Sequence, residues 1–282
     1  MSRHRFPDVP RIFPSAVFRG LSILTFAIFV IPWAQRCEAG TEIRAVSAGQ
    51  GSLDGKVFIV ENGSKGKKAE GRDVYLFRNG TFHSTIRDRE DGFREGAYAS
   101  TKSEDSITFV ADTKSGSRGT IHWEGTVRGG EIDVRYTRAD VPRWYDPNPK
   151  REYWARGQEV KNHAGASAPG TGTSGLLDGR TFFIRAGEKG KPVDHDEYVI
   201  FRNGMFVSSR CVQYNFGISS YSAAAEGDGV RFRAELTSPS HGTMYWEGIV
   251  RGEVMEATSR WVHDRWYWKV DRQYWYRGGP AE

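Results

Sequence analysis

From about residue 56 onward, apolar and polar side chains alternate within short runs. In "IHWEGTVRG" (Ile121 to Gly129), Trp123, Gly125 and Val127 share one face of an extended chain, and Glu124, Thr126 and Arg128 share the other. Successive strand side chains point to opposite sides, and the apolar face turns inward. The same phrase returns as "MYWEGIVRG", Met244 to Gly252. No segment holds a 3.6-residue apolar period over helical length. The pattern therefore predicts an all-β chain with Glu124 and Glu247 on its outer surface.

Turn residues separate the runs. "DVYLF", Arg78-Asn79-Gly80 and "TFHST" read as two strands about a type I′ turn, which needs positive φ at both central residues. Asn203-Gly204 repeats it. A second hairpin passes through Gly129-Gly130, and its later counterpart turns at Gly252-Glu253. Adding the runs around Phe58, Tyr98 and Phe109 and the closing "EYWARG" makes about eight strands.

The chain is written twice. Residues 53–84 align without a gap to residues 177–208, from "LDGKVF" against "LDGRTF" to the shared "FRNG", and the match continues with small slips through "REYWARG" and "RQYWYRG". Each copy has the size of an ordinary domain. The expected division is a signal peptide at 1–39, a lead-in at 40–52, one repeat at 53–157, an Ala/Gly/Ser/Thr/Pro-rich linker at 158–176 and a second repeat at 177–282.

Eight antiparallel strands lose their exposed edges by closing into an up-and-down barrel. The pattern thus predicts two tandem eight-stranded antiparallel barrels following a signal peptide. On these residues each copy resembles the calycin group, the lipocalin-like and avidin-like barrels, and the "WEG-x-VRG" ending resembles that of exported bacterial proteins. The Gly-x-Trp of lipocalin first strands is absent. Leu-Asp-Gly stands at the start of each copy instead, with Phe58 or Phe182 in the first strand. The resemblance implies a barrel that is filled by side chains or holds one small ligand, and assigns no ligand.

Charge changes the picture little. The 282 residues carry a net charge of +5, of which residues 1–39 supply +3 through five arginines against Asp8 and Glu38. The remaining +2 is spread without a basic stripe, so a nucleic-acid partner is not expected. Leu21 to Ala34 is an apolar run of 14 residues, too short to span a bilayer as a helix and interrupted by Pro32. With arginines before it and Ala39 after it, the segment reads as a signal peptide cleaved after about Ala39. That places the mature chain in the periplasm or outside the cell, with no membrane span. A lipid anchor at Cys37 is the rival, disfavoured by Arg36 in front of it. Removal of the leader leaves Cys211 as the lone thiol, expected to be buried, and its counterpart in the first copy is Arg87.

No catalytic, metal-binding or cofactor motif emerges. The histidines at 83, 122, 163, 195, 241 and 263 do not recur between copies, and "DHDE" (Asp194 to Glu197) reads more simply as an acidic turn than as a metal cluster. The aromatic run "RWVHDRWYWKVDRQYWYRG" is the candidate site, with Trp261, Trp266, Trp268, Arg272, Tyr274 and Tyr276 as ligand-binding residues. The expected activity is non-enzymatic binding of a small apolar or aromatic ligand. An envelope module that contacts protein or glycan is the alternative, and a Glu-dependent hydrolase or isomerase comes after both.

Overall fold

The computed structural model describes residues 52–147, 149–161, 175–265 and 268–281. The expected signal peptide and most of the linker lie outside them. The first barrel comprises β1 (Val57–Ser64), β2 (Gly71–Arg78), β3 (Thr81–Ser84), β4 (Gly96–Lys102), β5 (Ser106–Ser115), β6 (Gly119–Arg128), β7 (Glu131–Asp140) and β8 (Lys150–Glu159). The second comprises β9 (Thr181–Glu188), β10 (His195–Arg202), β11 (Met205–Ser208), β12 (Ser219–Glu226), β13 (Gly229–Ser238), β14 (Gly242–Arg251), β15 (Val254–Arg265) and β16 (Trp268–Pro280). Every neighbour is antiparallel, and the pairings β1–β8 and β9–β16 close the two barrels. The architecture is calycin-like, as the alternation predicts.

The hairpin chemistry holds in detail. Asn79 and Gly80 have φ of 50° and 75°, and Asn203 and Gly204 have 53° and 72°, the signs a type I′ turn demands. The duplicated Leu-Asp-Gly also gains a reason. Asp54 accepts hydrogen bonds from the Gly80 amide at 3.0 Å and the Tyr98 hydroxyl at 2.9 Å. Asp178 does the same for Gly204 and Tyr221, both at 2.9 Å. One carboxyl thus ties the entry of each barrel to its first tight turn, while Leu53 and Leu177 are buried beside it.

The cores are aromatic. Phe77 packs edge-on against Phe58, Tyr98 and Phe109, and Phe201 repeats this with Phe182, Tyr221 and Phe232. Each such ring contributes about 1.5–3 kcal/mol by burial. Gly125 lies opposite Phe109 and Gly248 opposite Phe232 in the strand register. A Cβ at these glycines would stand 2.3 Å and 2.7 Å from the phenylalanine rings. The glycine of the repeated Trp-Glu-Gly is therefore the floor on which a core ring rests.

Two features depart from the all-strand expectation. Helices α1 (Thr85–Asp91) and α2 (Ser209–Gln213) follow the third strand of each barrel. Ser84 and Ser208 cap them through hydrogen bonds from the amides of Arg87 and Cys211. Seven and five residues are too few to print a helical period in the sequence.

The two barrels pack together as one compact unit. Val74 and Leu76 of β2 meet Ile200, Val207 and Val212 of the second barrel in a buried apolar cluster that also takes in Val57 and Val160. Polar contacts ring it. The Tyr198 hydroxyl donates to Asp88, Asn203 donates to the Val160 carbonyl at 2.9 Å, and Gln213 donates to Glu90 at 2.6 Å. Strand β8 runs to Glu159, and Val160 is buried in the cluster, so chain that reads as linker helps join the barrels.

Candidate binding site at the mouth of the second barrel

Beneath α1 and α2, the corresponding ends of the two barrels differ sharply. In the first, Asp73 of β2 is buried and accepts hydrogen bonds from the Ser84 and Thr85 hydroxyls at 2.5 and 2.9 Å and from the Ile86 amide at 3.0 Å. Burial raises its pKa, while these bonds and the nearby Arg87 guanidinium oppose the rise. Arg87, the third residue of α1, donates to the Tyr136 hydroxyl at 3.2 Å and sits 6.0 and 5.8 Å from the ring centres of Tyr136 and Tyr153. Arg138 closes the opening from β7, paired with Asp91 at 2.8 Å and Asp140 at 2.6 Å. Charged side chains fill the inside of this end, and the recess of about 360 Å³ outside them is lined by Arg118, Arg138, Asp140, Arg151 and Tyr153.

In the second barrel the same positions carry different chemistry. Cys211 stands for Arg87, Tyr214 for Asp91, His241 for Arg118 and Trp261 for Arg138. The register supports the last pair, since Arg138 faces Ile121 and Trp261 faces Met244. With the guanidinium gone, a cavity of about 410 Å³ opens, walled by Trp261, Tyr274, Tyr276, Met244 and Phe216, with Glu197 and Cys211 as buried polar groups.

The walls are held firmly. Tyr276 lies over Trp246 at 4.2 Å and its hydroxyl bonds with Ser259 at 2.8 Å. Trp261 donates its indole N–H to the His241 carbonyl at 2.6 Å. Glu197 of β10 accepts from the Ser208 hydroxyl, the residue that caps α2. Burial pushes the Cys211 thiol up, with Glu197 adding to the rise. It also keeps the Tyr274 and Tyr276 phenols above their ordinary pKa, so they stay neutral. The thiol is thus a small buried side chain rather than a nucleophile.

Of the residues singled out from sequence, Trp261, Tyr274 and Tyr276 meet in this cavity. Arg272 does not line it and lies 4.0 Å from Glu188. Trp268 opens β16, and Trp266 lies outside the described residues. Sequence reasoning missed Glu197, Cys211, Met244 and His241 as cavity residues. The signal was present in the exchange of Arg87 for Cys211, which is visible once the two copies are aligned.

The glutamates of the repeated strand stand on the outer walls. Glu247 pairs with Arg231 at 3.0 Å and Arg233 at 3.2 Å, and Glu124 lies 3.3 Å from His122. His195 of "DHDE" contacts Asp194 and lies 3.7 Å from Glu197. Among the described residues, no three His, Cys, Asp or Glu side chains converge as a metal site requires, and no helix is long and apolar enough to cross a membrane. No family model matches the chain, and no curated protein matches it.

Proposed function

We propose that the protein is an exported, non-enzymatic binding protein whose second barrel takes a small, partly apolar ligand. The observation that carries this reading is the cavity of about 410 Å³ with aromatic walls, at the place that Arg87 fills in the first barrel. Its size suits one small molecule, and Glu197 and Cys211 are its buried polar groups, as in ligand sites that orient a guest by one end. Export rests on the arginine-bearing leader and the 14-residue apolar run.

Benzylamine and benzyl alcohol, both small enough for the cavity, test the reading through tryptophan emission and calorimetry. Binding of either one, weakened in Trp261→Ala and lost in a folded Cys211→Arg variant, is the expected result. Failure of both to bind, or unchanged binding once Cys211→Arg restores the guanidinium, overturns it.

A further inference from the structure

We infer that the guest of the second barrel presents an organic cation, an ammonium or guanidinium group on a small apolar body, to Glu197. This inference rests on the binding role proposed for that barrel. The argument comes from the first barrel, which carries such a guest on its own chain. The Arg87 guanidinium sits over the Tyr136 and Tyr153 rings near the buried Asp73; burial opposes its charge, and the Tyr136 hydroxyl and Asp73 favour it. A cation over aromatic faces gains about 0.5–2 kcal/mol, the more so away from water.

In the second barrel three of the groups that receive Arg87 persist while the cation is gone. Glu197 replaces Asp73 at the same depth, each 1% exposed. Tyr274 replaces Tyr153 in the strand register, facing Ser259 as Tyr153 faces Tyr136. Tyr276 reaches the place of Tyr136 from the neighbouring strand, 4.2 Å over Trp246 where Tyr136 lies 4.3 Å over Trp123. The fourth, Asp91, which pairs with Arg87 at 3.3 Å, has become Tyr214, another aromatic face at the cavity. Trp261 adds a further face where Arg138 stood.

Three basic side chains of the second barrel reach this cavity without replacing Arg87, and one of them, His241, shares a hydrogen bond with the Ser240 hydroxyl at 2.8 Å. Arg210 is turned onto Tyr214, 5.4 Å from its ring centre and 3.4 Å from its hydroxyl. His195 is engaged by Asp194 through Nδ1, and its Nε2 stands 3.7 Å from Glu197, an imidazole beyond hydrogen-bond reach in place of a guanidinium. A buried acid with aromatic walls and no guanidinium of its own is complementary to a cation brought by the ligand.

The test compares benzylamine, protonated at pH 7, with benzyl alcohol of nearly equal size, on the full protein and on Glu197→Gln. Benzylamine is expected to bind about ten-fold more tightly, and Glu197→Gln is expected to erase the difference while leaving benzyl alcohol unaffected. Equal affinity for the two probes, or a preference that survives Glu197→Gln, overturns the cation assignment and leaves the binding cavity standing. If neither probe binds, the cavity reading fails and the assignment fails with it. The probe comparison on the unaltered protein needs no variant, so a Glu197→Gln chain that does not fold leaves the first criterion decisive. In the first barrel, Arg87→Ala is expected to create a weak second benzylamine site. Binding that stays at a single site after that change counts against the equivalence on which the inference is built.

Discussion

The ring of Tyr276 lies over that of Trp246, centroids 4.2 Å apart. The first barrel builds the same contact with Tyr136 from β7, whereas Tyr276 comes from β16, the counterpart of β8. The exchange is reciprocal, with Ala155 at the place of Tyr276 and Ser259 at that of Tyr136. Removing the ring in Tyr276→Ala is expected to cost about 3–5 kcal/mol, as for other buried aromatics. Adding Ser259→Tyr returns the arrangement of the first barrel and should recover most of the loss. Urea unfolding of the single and double variants checks this, and a double variant no more stable than Tyr276→Ala would show that the two positions are not equivalent.

Gly125 supports the Phe109 ring, and an added methyl group would stand 2.3 Å from it and 3.0 Å from Val134. Gly125→Ala should therefore destabilise the first barrel by about 1–3 kcal/mol, the usual range for overpacking. Shortening the opposing ring in Phe109→Leu should make the same glycine change less costly. The coupling is read from a double-mutant cycle by denaturant titration.

His83 is buried between the barrels, edge-on to Tyr198 at 4.9 Å and 3.8 Å from Asp88, and neither ring nitrogen has a hydrogen-bond partner. Burial pulls its pKa down from 6.5 to about 4, with Asp88 opposing the shift and Arg78 adding to it. Below pH 6.5 the unfolded chain takes up a proton that the folded chain refuses until about pH 4. Unfolding then binds a proton, so stability is full above pH 6.5 and falls as the pH drops through that window, by about 3 kcal/mol in total. His83→Val, the residue the second copy carries at 207, should flatten this loss. Melting temperatures at pH 7, 5.5 and 4.5 for the two proteins measure it.

The apolar cluster between the barrels is expected to couple their unfolding. Thermal unfolding of the unaltered chain should show one transition. Val212→Asp, which places an unpaired charge in that cluster, should split it into two. A single transition in both proteins, with only a lower midpoint in the variant, would count against coupling through this contact.

Much of this was legible because it is local. Alternation about Trp123 and Trp246 set the inner faces, Asn79-Gly80 and Asn203-Gly204 set the turns, and the duplication set two closed units. The docking of the barrels left a fainter mark. "DVYLF" and "EYVIF" are apolar at successive positions, as befits strands buried on both sides, with Tyr75 and Phe77 in the core and Val74 and Leu76 against the second barrel. Such runs read as strand without naming what covers the outer face. The aromatic strands of the second copy were also visible, and three of the six residues chosen there share the cavity.

By itself the amino-acid sequence determined two all-β units, their hairpins and which side of each strand faces inward. These follow from period-two alternation and from glycine and asparagine at positive φ, which neighbouring residues decide among themselves. The tertiary structure alone decided what occupies the inside of each end. That outcome depends on side chains from α2, β10, β14, β15 and β16 meeting after closure, so replacing Arg87 by Cys211 and Arg138 by Trp261 becomes an open cavity only where the strands bring those positions together.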